Sequence, residues 1–223
     1  MLDKKLDSIQ KLNFFKSLDA EQINEVKEIS KVVEYPKKSI LYYENDTYDK
    51  IFFLVSGVLK IYKIDKFENE IFLYHIHSNS LVSELTSLEN THINCYSNSE
   101  FIADSLILEV NFTELKNRFL KKNILNNEFI NEILLKTQQL HCVVNRELVF
   151  DATAKVAFML SEDLTMFNSL KRQEVSFMLH IQPETLSRVL KKLKRSGIIE
   201  MENSTISILD VKSLQTIFRG EEL

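Results

Sequence analysis

From Gln182 to Gly197 the sequence writes out one helix whose two faces cannot both be buried, and the rest of the chain has to fold around that fact. Pro183 stands where the first helical turn needs no N–H, and Gly197 stands where a chain leaves a helix through positive φ. At about 100° per residue, Leu186, Val189, Leu190 and Leu193 share one face, while Glu184, Ser187, Arg188, Lys191 and Arg195 share the opposite one. The apolar half has to meet a core. The cationic half is either a solvated face or the seat of a polyanion, and its neighbours decide which.

Those neighbours come in a telling order. Residues 171–179 form a shorter amphipathic helix, and His180-Ile181-Gln182 is a turn of the length that joins a helix-turn-helix pair. Residues 198–201 and 205–209 flank Glu202-Asn203-Ser204 as the two strands of a hairpin wing. The stretch 171–195 carries seven basic residues against two acidic ones, inside a chain whose net charge is −4. Such a cluster is the footprint of a nucleic-acid partner, here double-stranded DNA. A helix of this size fits the major groove with its first turns at the base edges. Glu184, Ser187 and Arg188 are therefore the candidate base readers. Arg188 has the fork for guanine O6/N7, Glu184 accepts from cytosine N4, and Ser187 serves either role or touches a thymine methyl. Lys171, Arg172, Thr185, Lys191, Lys192, Lys194 and Arg195 are candidate phosphate contacts, which give affinity without sequence.

Upstream of this unit the chain is long enough, at 223 residues, for a second domain, and 44% hydrophobic with 27% charged residues gives it material for two cores. Helical spacing over residues 2–33, with Asp19 and Gln22 set as a capping box, predicts short N-terminal helices. Between about 32 and 110 the texture becomes short β-runs, at 39–43, 51–55, 58–64, 70–76 and 101–110. Only three glycines occur in the chain, so the turns fall to Asn, Asp and Ser, as in Glu44-Asn45-Asp46 and Ser78-Asn79-Ser80, and Gly57 is a specific choice. From 111 to about 150 the period returns to helical. Ile130, Ile133, Thr137, Leu140, Val144 and Leu148 recur near every 3.5 residues, a seam that predicts a homodimer or, alternatively, packing onto the chain's own β-roll. Asp151-Ala152-Thr153 reads as a hinge or N-cap into a helix over 154–164.

The predicted class is α+β: an antiparallel β-roll over 1–111, a long dimerisation helix over 112–150, and a winged helix-turn-helix over 151–223. The longest apolar runs, such as Ile51-Phe52-Phe53-Leu54-Val55, fall far short of the roughly 20 residues that span a bilayer. Met1-Leu2-Asp3-Lys4-Lys5 lacks the apolar stretch of a signal peptide, so a cytoplasmic location and no membrane partner are expected. Cys95 and Cys142, 47 positions apart, suggest neither a disulfide framework nor a zinc site, and two thiolates cannot hold an iron–sulfur cluster that needs four. Neither has cationic neighbours in sequence that would make it a redox sensor.

Three segments carry a resemblance. Leu54-Val55-Ser56-Gly57-Val58-Leu59-Lys60-Ile61-Tyr62 resembles the β-roll signature of the CRP/FNR family of bacterial transcription regulators, the seam helix resembles that family's dimer helix, and Glu184-Thr185-Leu186-Ser187-Arg188 resembles its recognition motif. The resemblance runs over nearly the whole chain and implies that the β-roll is of the cyclic-nucleotide-binding jelly-roll type and that the protein is a homodimeric regulator on a palindromic operator, with RNA polymerase as a further partner. Glu-x-x-Ser-Arg is the FNR-type pattern, associated with TTGA-type half-sites; a CRP-type helix has Arg where this one has Pro183 and Gly where it has Ser187.

The sensor half departs from the family. Members that bind cyclic nucleotides hold the phosphate with an Arg shortly after Phe-Gly-Glu-Leu; here the stretch is Val82-Ser83-Glu84-Leu85, and no Arg precedes Arg118. Without that fork a phosphodiester is left largely unpaired, so cAMP is not expected. His77-Ser78 followed by Leu81-Val82 resembles the haem-ligand segment of the family's CO-sensing members, which makes His77, with His141 on the seam helix, a candidate haem ligand for a gas such as NO or CO. The other readings are a histidine at a strand end with no ligand, and a protein that acts without any effector. A different class of function is a cupin-like metal-dependent enzyme using His75 and His77 with Glu84; six residues separate His77 from Glu84 instead of three or four, and the second cupin motif is missing.

Overall fold

Asp19 caps the second N-terminal helix as its sequence predicts: its carboxylate accepts the Gln22 N–H at 2.9 Å while Gln22 Oε1 accepts the Asp19 N–H at 3.0 Å. That reciprocal cap starts α2 (Ala20–Glu28), which follows α1 (Lys4–Lys11). The structure, a computed structural model, describes residues 4–202 and 205–219; the N-terminal residues Met1 to Asp3, Asn203 and Ser204, which the sequence puts in the turn of the expected wing, and residues 220–223 lie outside it. The chain divides into two compact units, Met1–Gln139 and Leu140–Leu223.

Among the described residues the first unit is a β-roll of ten strands: β1 (Ser30–Tyr35), β2 (Ile40–Tyr42), β3 (Thr47–Tyr48), β4 (Lys50–Ser56), β5 (Val58–Ile64), β6 (Glu70–His77), β7 (Ser80–Leu81), β8 (Ile93–Asn94), β9 (Asn98–Phe101) and β10 (Ser105–Asn111). They pair antiparallel in two four-stranded sheets, β1-β10-β4-β7 and β2-β9-β5-β6, with β3 and β8 as a short separate ladder. β4 is buried on both faces from Ile51 to Val55, which is why its sequence is a continuous apolar run and not an alternation. On one side Phe14, Phe15 and Phe53 close ring against ring at 4.8 to 5.2 Å, and on the other Phe52, Leu59, Ile61, Ile76 and Phe101 fill the roll.

The glycine arithmetic holds in the turns. Asn45 and Asn79 take the left-handed conformation, and so do Lys38 and Glu68, residue types less suited to it. Gly57, between β4 and β5, has φ +105°, and a Cβ there would stand 2.0 Å from Ser105 Oγ. Both the backbone angle and the space demand glycine. The run expected as one strand over 101–110 is two, β9 and β10, since the chain turns at residues 102–104, where Asp104 Oδ1 accepts the Lys37 N–H at 2.8 Å.

The helix expected over 112–150 is also broken. After α3 (Phe112–Arg118) and a 3₁₀ turn (Leu120–Lys122), Asn123 and Leu125 have φ of +60° and +65°, which no right-handed helix can pass through. The long helix is α4 (Asn126–Val144), and Asn145–Val149 continue it as a π-helical turn closed by Phe150 N–H to Asn145 O at 2.8 Å. No described helix is long and apolar enough to cross a membrane.

The second unit holds α5 (Ala152–Glu162), α6 (Leu164–Ser169), α7 (Arg172–Met178), α8 (Pro183–Arg195), β11 (Ile199–Glu202), β12 (Thr205–Ile208) and α9 (Val211–Arg219). Asp151 is the N-cap of α5, its carboxylate accepting the Ala154 N–H at 2.8 Å. Asp163 ends α5 and caps α6, so the helix expected over 154–164 closes at Glu162. The core of this unit is Val156, Leu160, Phe167, Val175, Leu179, Ile199, Ile206 and Leu214 around the inner face of α8.

Candidate nucleic-acid interface

The helix-turn-helix is α7, a turn, and α8. His180 opens the turn with φ +52°, and the Ile181 N–H reaches back to Ser176 O at 3.1 Å, so the chain reverses in three residues without a glycine. Pro183 takes the first position of α8, and Gly197, at φ +70°, lets the Ile198 N–H close onto Leu193 O at 3.1 Å. Nothing lies within 4 Å of where a Gly197 Cβ would be, so the backbone angle alone asks for glycine.

Leu186, Val189, Leu190 and Leu193 are all at most 5% exposed, which fixes the rotation of α8 about its axis. Glu184, Ser187, Arg188, Lys191, Lys192 and Arg195 consequently line one shallow concave face open to solvent. Among the described residues none of these six makes a side-chain hydrogen bond or ion pair, so the cations and the one carboxylate are available to an incoming molecule. The remaining candidate phosphate contacts divide. Lys171 is exposed at the N-cap of α7, where Glu174 accepts its N–H at 2.7 Å. Thr185 is half-buried. Arg172 is not the open surface cation the sequence suggests: it is half-buried, with its guanidinium 4.8 Å from the centre of the Phe167 ring. Lys194 Nζ donates to Met201 O at 3.3 Å, tying the end of α8 to the wing strand β11.

Two features of this unit escaped the sequence reading. Asn168 on α6 pairs with Ile206 on β12 through both its amide groups, accepting the Ile206 N–H and donating to Ile206 O at 2.9 Å each, and no local pattern announces it. α9 did leave a signal, with Val211, Leu214, Ile217 and Phe218 at helical spacing and Asp210 accepting the Ser213 N–H at 3.0 Å.

Along α4 and the π-turn the seam is largely bare. Ile130 is 55% exposed, Leu134 56%, Leu140 56%, Val144 49% and Leu148 81%, with Thr137 exposed among them. Ile133 departs from expectation, because it is half-buried against the roll's own core, and Leu134, which the sequence reading passed over, takes its place in the exposed stripe.

In the β-roll the residues around Glu84 form a polar cluster. Glu84 accepts from the Tyr96 N–H at 2.6 Å and from Ser97 Oγ at 2.7 Å. Glu132 on α4 accepts the Leu81 N–H at 3.0 Å, and Lys136 Nζ donates to Val82 O at 3.2 Å with its ammonium 5.8 Å from the centre of the Tyr74 ring. Burial pulls the Lys136 ammonium down to about 8, against the pull of the Glu84 and Glu132 carboxylates. Burial likewise pushes Cys95 up to about 12, with Glu84 and Asp46 adding to it, so this thiol stays protonated and inert. Cys142 is exposed, and its thiol too is held above the ordinary value.

This cluster does not fit a cyclic nucleotide. A phosphodiester needs cationic, forked donors, whereas here the backbone N–H and hydroxyl that follow β8 already hold a carboxylate of the same chain. Arg118, the first arginine, is committed to Glu28 at 2.8 Å and Glu114 at 2.9 Å. The cupin-like grouping does not form either: Glu84 is engaged as above, and no group of three or more metal-binding side chains is found among the described residues. His75 and His77 have their ring centres 6.4 Å apart, and His77 is exposed at the end of β6; His141 is exposed on α4.

Comparison with known proteins agrees with the fold of each unit. Residues 32–122 match the family described as cyclic nucleotide-binding domain, and residues 156–217 match the Crp-like helix-turn-helix domain, together roughly two thirds of the chain. No curated protein matches the sequence significantly. Solved structures similar in fold include FixK2 from Bradyrhizobium japonicum, with 16% identity, 85% of this chain and 97% of that one covered, and a TM-score of 0.66. A CooA variant from Carboxydothermus hydrogenoformans has 18% identity, covers 86% and 88%, and scores 0.67. A regulator of the crp/fnr family from Eubacterium rectale has 16% identity, covers 94% and 99%, and scores 0.65.

Proposed function

We propose that this chain, which belongs to the CRP/FNR family of DNA-binding transcription regulators and is not an enzyme, acts as a homodimer that reads a palindromic operator of TTGA-type half-sites. The observation that carries the reading is the outer face of α8, where Glu184, Ser187 and Arg188 stand exposed and unengaged in its first turns above a buried apolar face. Lys191, Lys192 and Arg195 extend that face along the phosphates, with Lys171 at the start of α7. The bare stripe of Ile130, Leu134, Thr137, Leu140, Val144 and Leu148 suits a second copy of the same helix, its period alternating as a two-stranded seam requires. Two-fold symmetry then sets the half-sites about one helical turn, roughly 34 Å, apart. In this working form residues 1–111 are the sensor-type domain, 112–150 the dimerisation segment and 151–223 the DNA-binding domain, acting in the cytoplasm with RNA polymerase as partner.

The β-roll favours DNA binding that needs no small ligand. Glu84 fills the donors a ligand anion would use, and Glu132 and Lys136 already fasten α4 to the backbone of Leu81 and Val82. The test is selection of binding sites from random duplexes by the purified protein with nothing added, together with sedimentation velocity on the free protein. A palindromic consensus and a dimer are expected. A haem titration with a saturable, one-per-subunit Soret band that His77→Ala abolishes would replace the ligand-independent reading with gas sensing. A monomer that enriches no sequence would overturn both the dimer and the operator.

A further inference from the structure

We propose that Glu147 is a positioning residue for DNA reading: it clamps the turn that launches the recognition helix to the end of the dimer helix. The proposal rests on the DNA-reading role of α8 and adds the residue that holds α8 in register. Glu147 lies in the π-turn Asn145–Val149, where the chain abandons α-helical spacing for one wider turn. Such turns re-aim the side chains within them. Here the re-aimed carboxylate accepts from Arg146 Nε at 2.6 Å and faces His180 Nδ1 at 2.8 Å, with Lys155 Nζ 3.7 Å away.

Each of these partners leads to the helix-turn-helix. His180 is the left-handed residue that opens the turn, two residues before the N-cap of α8 at Gln182. Lys155, buried on α5, also donates to Leu179 O at 3.2 Å, at the end of α7. The carboxylate therefore ties together the π-turn, α5, the end of α7 and the turn into α8. Burial alone would push the Glu147 carboxyl up, but the hydrogen bonds from Arg146 and His180 hold it below the ordinary range, so it is ionised near neutrality.

The placement argues for more than packing. Arg146 and Lys155 are 7% and 8% exposed, and gathering two such cations around one carboxylate costs desolvation that an apolar plug of the same size would not. What ions give in return is direction: a charge-assisted hydrogen bond fixes a donor and an acceptor within a few tenths of an ångström. A reading helix has to be held to about 0.5 Å for its base contacts to form together. Arg188 lies eight positions beyond His180 on a rigid helix, so a displacement of the turn is carried to it undiminished.

The experiment compares Glu147→Leu, Glu147→Asp and His180→Asn in the full-length dimer on two duplexes of equal length at one salt concentration, the selected operator and a scrambled version. Asn keeps the left-handed backbone at position 180 available, so this variant folds even where Glu147→Leu does not. Glu147→Leu and His180→Asn are each expected to weaken operator binding about 10-fold, the worth of one charge-assisted hydrogen bond, while scrambled-duplex affinity stays within about 2-fold. Glu147→Asp recovers part of the loss, and the double variant Glu147→Leu with His180→Asn is no weaker than either single one. Equal loss on both duplexes, or a lowered melting temperature with the operator-to-scrambled ratio unchanged, reduces the clamp to a stability element and overturns the proposal. Failure of the unsubstituted protein to discriminate the two duplexes overturns the DNA-reading assignment itself, a result distinct from any difference among variants.

Discussion

Replacing Arg188 with Ala isolates base reading from every other role of α8. The side chain is exposed and makes no hydrogen bond or ion pair among the described residues, so its removal leaves the free protein as it was. The loss is then confined to the complex. A bidentate guanidinium–guanine contact discriminates by about 1–3 kcal/mol, and a symmetric dimer makes it twice, so operator affinity should fall by about 2–6 kcal/mol, or roughly 30-fold to 10⁴-fold. The scrambled duplex, which offers no guanine at that register, should bind almost as before. Because the contact is to a base and not a phosphate, the slope of log affinity against log salt should stay unchanged. Lys191→Ala is the control, expected to weaken both duplexes alike and to flatten the slope by about 0.9 per subunit. Fluorescence anisotropy on both duplexes at several salt concentrations reads all of these quantities. If Arg188→Ala weakens the two duplexes equally, or flattens the salt slope as Lys191→Ala does, Arg188 grips phosphate and the base-reading argument fails.

Three further substitutions test the rest of the molecule. Val144→Glu, at a position 49% exposed in the single chain, should leave folding intact and weaken the dimer by at least about 3 kcal/mol, since the seam would bury an unpaired charge; sedimentation velocity over a concentration series measures it. Gly57→Ala should destabilise by about 1–2 kcal/mol through φ +105° alone and by more through the contact with Ser105, read as a lower urea midpoint. Lys136 gives a pH signature. Its folded value, about 8, lies below the ordinary 10.5, so between the two the unfolded chain holds a proton that the folded chain has lost, and stability rises with pH through that window. Lys136→Met should raise stability near neutrality by up to about 3 kcal/mol and remove this part of the rise; an unchanged slope in urea unfolding between pH 8 and 10 would refute the buried ammonium.

What the sequence made legible is what neighbours along the chain decide. The caps of α8, the capping box at Asp19, the N-cap at Asp151 and the left-handed asparagines all act within a few residues, and each stands where its local pattern puts it. The sensor half resisted because its chemistry is assembled across long separations. Glu84 meets Ser97, Glu132 meets Leu81 and Lys136 meets Val82, contacts between strands and a helix that no spacing rule connects. The break before α4 turns on Leu125 in a left-handed conformation, a residue type with no local preference for it, imposed by burial of its side chain in the roll's core. The seam shows where local reasoning reaches its limit. Ile133 and Leu134 are both apolar and both fit a stripe near 3.5 residues, and only the roll, by taking Ile133 into its own core, decides that Leu134 faces outward. The exposed stripe therefore runs through Ile130, Leu134 and Thr137, steps of four and three that continue into Val144 and Leu148. The period locates the stripe, while the packing of the roll decides which of its residues stay exposed.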